Sequence, residues 1–141
     1  MSATIPDSHM DLLVEPYYAV LTTISSAGGP ENTVIWCSWD GNHVLVNTKG
    51  FARKIKNIKN NPQVALNIID PKNPYRWIDI RGTVDSVTED KEFANINAHA
   101  KKYRGVDEYY GGYQSIELKG KEDRVVVRIR PDRVFAFPLQ G

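Results

Sequence analysis

Five cations crowd a stretch of chain that carries no counter-charge. Between Gly41 and Ile69 stand Lys49, Arg53, Lys54, Lys56 and Lys59, with no aspartate or glutamate among them. Phe51, Ile55 and Ile58 fall at i, i+4 and i+7 in the same stretch, one face of a helix that Pro62 stops after Asn60-Asn61. A helix entered through Gly50 from a strand over His43–Thr48 points its free N–H groups back at the strand end, beside Arg53 and Lys54. Free N–H groups and cations together hold phosphate. The dipole contributes about 0.3–1 kcal/mol per charge and each charge-assisted hydrogen bond about 1.5–3 kcal/mol, so the side chains dominate such a site. The same pattern also suits a solvated basic face on a short amphipathic helix.

Flat ligands have candidates of their own. Trp36, Trp39 and Trp77 lie on strand-like runs, where an indole either packs in the core or stacks on a bound heterocycle. Tyr109-Tyr110-Gly111-Gly112-Tyr113 reads equally as a substrate flap or a packed loop. His9, His43 and His99 are isolated from one another, the pattern of surface or packing histidines. Cys37, mid-strand, reads as a small buried hydrophobe rather than a nucleophile. A single cysteine removes disulfide frameworks and multi-cysteine metal sites and fits a reducing compartment. The chain has no G-x-G-x-x-G, no G-x-x-x-x-G-K-[ST], no H-E-x-x-H and no C-x-x-C, which argues against nucleotide folds and zinc hydrolases.

The elements that must position these groups belong to a small globular protein. Of 141 residues, 41% are hydrophobic and 25% charged, and the net charge is +1. That balance folds, and it lacks the basic excess of a general nucleic-acid binder. The length fits one domain over residues 1–141. No apolar run approaches the roughly 18 residues that cross a bilayer, and Met1 to Asp11 lacks the order of a signal peptide. A cytoplasmic protein with no membrane or nucleic-acid partner is expected.

Runs over Tyr17–Ile24 and Thr33–Trp39 form a hairpin across the breaker cluster Ser25–Pro30, and Asp40-Gly41-Asn42 makes a tight turn into His43–Thr48. Beyond the basic helix, Gln63–Ile69 and Trp77–Val87 are again strand-like, and Gly82 marks a bulge. Thr88 is the expected cap of a second helix, with Glu89 and Asp90 in its first turn and Phe93, Ile96, Ala100 and Tyr103 as its buried stripe. Val125, Val127 and Ile129 alternate with Arg124, Arg128 and Arg130 as a half-buried strand, followed by a short one over Arg133–Phe137. Six or seven antiparallel strands and two clear helices predict a mainly β fold whose sheet closes into a barrel to remove its edges.

The order of these elements resembles a known family. Asn47-Thr48-Lys49-Gly50-Phe51-Ala52-Arg53-Lys54, running to Asn60-Asn61-Pro62, and Arg76-Trp77-Ile78-Asp79-Ile80-Arg81-Gly82 are similar to the pyridoxamine-phosphate-oxidase-like split β-barrel proteins. Ile5–Leu13 and Arg133–Phe137 are similar to the branch of reductases dependent on the deazaflavin coenzyme F420. The resemblance implies an antiparallel split β-barrel and a homodimer with two cofactor sites at the subunit interface. It also implies that Asn47 and Thr48 close the third strand at the cofactor and that Arg53 and Lys54 bind its phosphate. Thr33, Val34 and Ile35, in the segment Thr33–Ser38, would run along the isoalloxazine, and Trp77 would wall the ring. In the deazaflavin branch the best-matched cation is Lys54, so Arg53 carries less weight.

Two departures bear on activity. Where the FMN oxidases of pyridoxamine phosphate carry an Arg and a Lys, this chain has Thr33 and Ser38, and their C-terminal Arg/His substrate motif has no counterpart. Vitamin B6 oxidation is therefore not expected. The implied activity is hydride transfer from reduced F420 to a small unsaturated acceptor, with FMN-binding oxidoreductase or non-catalytic flavin or ligand binder as alternatives. Such transfer rests on placing donor and acceptor together, so no dedicated acid–base residue and no metal is assigned.

Overall fold

The computed structural model describes residues 2–138. Period-two burial makes the strands: β1 (Ala19–Ile24) turns Ala19, Leu21 and Thr23 inward, and β4 (Val44–Lys49) does the same with Val44, Val46 and Thr48. With β2 (Pro30–Ile35), β3 (Cys37–Trp39), β5 (Gln63–Asp70), β6 (Asn73–Glu89) and β7 (Arg124–Phe137) they form one antiparallel sheet, ordered β2-β1-β5-β6-β7-β4-β3. The two edge strands, β2 and β3, are joined by Trp36 alone. Two residue steps span at most about 7 Å, so the seven-stranded sheet must curl until its edges meet. The result is a mainly β, curled split barrel. Its interior holds Leu21, Val46, Ile68, Ile78, Ile80 and Ile129, and the short helix α1 (Asp11–Val14) adds Leu12 and Leu13.

Several local expectations are corrected by what the chain finds in three dimensions. The run over Thr33–Trp39 is two strands, because the corner at Trp36 transfers the chain from one sheet edge to the other. Helix α2 spans Arg53–Asn60 with extended Ala52 at its cap, so Phe51 precedes the helix, and it lies 63% exposed under the Lys49 ammonium. Thr88 caps nothing: β6 continues to Glu89, and the Thr88 hydroxyl accepts from Arg128. Helix α3 (Ala94–Arg104) begins later, and the Asp90 carboxylate accepts from the backbone N–H groups of Asn95 and Ile96, each at 2.9 Å. Arg133–Phe137 is no separate strand but the second half of β7.

Gly82 sits where the β6–β7 register shifts. A Cβ there would collide with the Arg130 carbonyl oxygen and lie 2.7 Å from Ile129 Cγ2, and both are fixed by the core. Gly82→Ala is expected to destabilise the fold by about 1–3 kcal/mol, read as a lower urea midpoint at unchanged slope.

Candidate functional site

The exit of β4 and the start of α2 open onto a cavity of about 300 Å³. One side is apolar and aromatic, made by Tyr18, Val34, Ile35 and Trp36. Trp36 is held flat against Tyr103, with ring centroids 5.2 Å apart and planes within 9°. Ile96 and His99 of α3, and Tyr109 and Tyr113 around the turn α4 (Tyr109–Gly112), face it from the later part of the chain. Tyr110, between them, is buried and donates to Glu122 at 2.7 Å, which pins the segment.

The remaining wall is polar and positive: Asn47, Thr48, Lys54 and Arg124. The Arg124 side chain is only 8% exposed. Its Nε donates to Asn47 Oδ1 at 2.9 Å, and Asn47 Nδ2 donates in turn to the Asp90 carboxylate at 2.8 Å. The guanidinium lies 5.1 Å from the Tyr109 ring and meets Glu122 only at 3.8 Å. Among the described residues no carboxylate comes within ion-pair distance of Lys54. Burial lowers the Lys54 pKa, and the Arg124 charge lowers it further. Two cations that disfavour one another in one half-enclosed cavity give it a positive field, which suits an anion.

Of the residues singled out from sequence, Val34, Ile35, Asn47, Thr48 and Lys54 meet in this cavity. Thr33 is the next residue of β2, exposed and outside the wall. Arg53 turns away and grips Glu31, with Nε to Oε1 at 2.9 Å and Nη2 to Oε2 at 2.8 Å, its side chain 75% exposed. The hydrogen bonds from Arg53 and Asn57 hold the Glu31 carboxyl below its ordinary pKa. Arg53→Ala is accordingly expected to change affinity for an anionic ligand by less than about threefold in titration, as exposed pairs contribute about 0–1 kcal/mol. Trp77 stacks on Phe137 at 5.7 Å and lines a different groove, with Ile69, Asp79 and Phe135.

Tyr18, Ile96 and Arg124 are wall residues not expected from sequence, Trp36 and the tyrosine segment read either way there, and His99, expected as a surface or packing histidine, also lines the cavity. The alternation with Val125, Val127 and Ile129 predicts Arg124 on the polar side of its strand, yet it shares its face with Val126, which is 4% exposed. The run Val125-Val126-Val127 was the available signal, because three consecutive valines cannot all lie on one face. Among the described residues no cluster of three or more His, Cys, Asp or Glu suits a metal ion, and no helix is long and apolar enough to cross a membrane.

The curled sheet and its basic cavity can be set beside known proteins. The profile of the pyridoxamine 5'-phosphate oxidase family matches residues 5–137. The chain belongs to this family. Among solved structures of similar fold, an F420 reductase is 32% identical, with a TM-score of 0.80 over 93% of this chain and 98% of that one. A conserved hypothetical protein from Mycobacterium tuberculosis is 20% identical, with a TM-score of 0.72 over 99% of this chain and 92% of that one. General Stress Protein 26 from Bacillus anthracis str. Sterne is 18% identical, with a TM-score of 0.65 over 94% of each chain. At such identities the last two show the shared fold alone. No curated protein matches the chain.

Proposed function

We propose that this member of the pyridoxamine 5'-phosphate oxidase family is a cytoplasmic oxidoreductase in which reduced coenzyme F420 passes a hydride to a small unsaturated organic acceptor. The observation that carries the reading is one cavity that joins the strand edge Val34–Trp36 to the cations Lys54 and Arg124, the first without a carboxylate partner among the described residues. The donor set suits a planar ring with an anionic arm. The likeness to an F420 reductase at 32% identity favours the deazaflavin over FMN.

Each residue has a task. Lys54 and Arg124 bind the phosphate, with Thr48 offering its hydroxyl and Asn47 steering the guanidinium. Val34 and Ile35 flank the ring, and Thr33 continues that edge. Arg53 holds Glu31 clear of the phosphate. The bound deazaflavin supplies the hydride, while the chain orients the ring and excludes water. The whole chain 1–141 acts as one cofactor-binding domain.

The site is completed in a homodimer. Val20, Val34, Ile69, Phe135 and Phe137 are 37–68% exposed and lie on β1, β2, β5 and β7, an apolar surface of the kind that marks association. Trp77 borders it and would reach the ring held by the other subunit. Sedimentation equilibrium is expected to give twice the 15.9 kDa chain mass, and Val20→Glu the chain mass alone. A monomeric wild type at micromolar concentration refutes the dimer.

The activity test mixes purified protein with reduced F420 and a panel of enones and quinones, following the coenzyme's absorbance. Oxidation of the coenzyme with one or more acceptors is the expected result. Yellow FMN that survives gel filtration assigns the flavin instead, and fluorescence quenching without turnover makes the protein a binder.

A further inference from the structure

Asp90 is 6% exposed and lies outside the cavity wall, yet it bonds to both β4 and α3, which help to build that wall. Its Oδ1 accepts from the Asn95 backbone N–H and its Oδ2 from that of Ile96, each at 2.9 Å. Oδ2 also accepts from Asn47 Nδ2 at 2.8 Å. The chain bends sharply beside it: Glu92 and Phe93, which both carry a Cβ, take a φ of 56° between β6 and α3. The Asp90 N–H donates to the Arg124 carbonyl oxygen at 2.9 Å, so the same residue is tied to the backbone of the cation it serves.

The groups at its two ends leave the Asn47 amide one orientation. A carboxylate only accepts and an arginine Nε only donates, so the amide NH2 faces Asp90 and the amide oxygen faces Arg124 Nε, at 2.9 Å. The Asn95 side-chain oxygen takes the second Nδ2 hydrogen at 2.9 Å. Arg124 Nη1 and Nη2 make no hydrogen bond among the described residues and keep accessible surface, so they are the donors left for a ligand. Glu122 is the competitor, 3.8 Å from Nη1. We propose that Asp90 is a positioning residue for anion binding, locking the Asn47 amide so that its oxygen holds the Arg124 guanidinium at the cavity wall and off Glu122. This rests on the cavity being the cofactor site. Asp90 touches no ligand, and its capping of α3 is a separate, structural task.

The test is a double-mutant cycle read by F420 titration, with urea midpoints and the Arg124 Nε–H signal of nitrogen-15-labelled protein recorded alongside. In Asp90→Asn an NH2 group replaces one accepting oxygen, and Asn47 flips to set its own NH2 against Arg124 Nε, donor against donor. F420 binding should weaken about tenfold, and the Nε–H signal should move. Asn47→Leu breaks the same link while the cap of α3 stays, and it should weaken F420 as much, which guards against misfolding of the first variant. In an Arg124→Gln background either substitution should change F420 affinity by less than twofold, because no guanidinium remains to be placed. A helix cap alone gives a different result: a lower urea midpoint, an equal loss of affinity with and without Arg124, and an unmoved Nε–H signal. That result overturns the Asp90 assignment and leaves the cofactor site standing. Failure of F420 to bind the wild type overturns the site and this inference with it.

Discussion

Lys54→Ala is expected to weaken F420 binding by about ten- to more than a hundredfold, the loss of one charge-assisted hydrogen bond of roughly 1.5–3 kcal/mol. Three features set this lysine apart from the other cations of the basic stretch. It is half-buried, so bulk water screens it little. It faces the cavity, and no described carboxylate competes for it. Its charge already opposes that of Arg124, so the protein holds it there at a cost that an anion would relieve. The variant should therefore fold as well as the wild type without ligand, and only the holo protein should suffer. Titration at two salt concentrations checks the charge, because the deficit of the variant should shrink as salt rises. Unchanged affinity at low salt means that the phosphate is held elsewhere.

Acid is expected to destabilise the protein by about 3 kcal/mol between roughly pH 6.5 and pH 4, and His99 supplies the main cause. In the folded chain its pKa is pushed down to about 4, first by burial and then by Lys102 and Arg124, with Asp90 the opposing charge. In the unfolded chain an ordinary imidazole takes its proton near pH 6.5. As the pH falls below that value the unfolded state gains a proton that the native state refuses, and stability drops until the native ring titrates too. Above pH 6.5 the effect is absent. Asp70 and Asp132 carry depressed values, Asp70 chiefly through the backbone N–H of Lys72 and Asp132 chiefly through Thr83. Their contribution is lost only below the ordinary carboxylate range, so the two windows separate. Urea midpoints for wild type and His99→Phe at pH 7 and pH 4.5 provide the check. An equal drop in the variant would place the acid sensitivity elsewhere.

The parts of this protein legible in its sequence are those set by neighbouring residues. Gly41 takes a φ of +99° in the turn between β3 and β4, as the Asp40-Gly41-Asn42 signal required. Pro62 follows the end of α2, and Gly82 lies at a register shift, each through a backbone restriction that acts within a few residues. Asn47, Thr48 and Lys54 could be named together because the family resemblance rests on the eight consecutive positions that carry all three.

Tertiary structure decided the rest. Arg53 and Lys54 are adjacent, yet a helix turns successive side chains by about 100°, and Glu31 from a distant strand captured the first while the cavity received the second. Arg124 meets Asn47 across 77 positions, and His99 meets Ser38 across 61. Those meetings follow from the β4–β7 register and the packing of α3, which the burial of residues such as Val46, Val127 and Ile96 enforces. Local chemistry marked where an anion could bind. Only the curl of the sheet, driven by a core that no short segment contains, determined which other groups would face it.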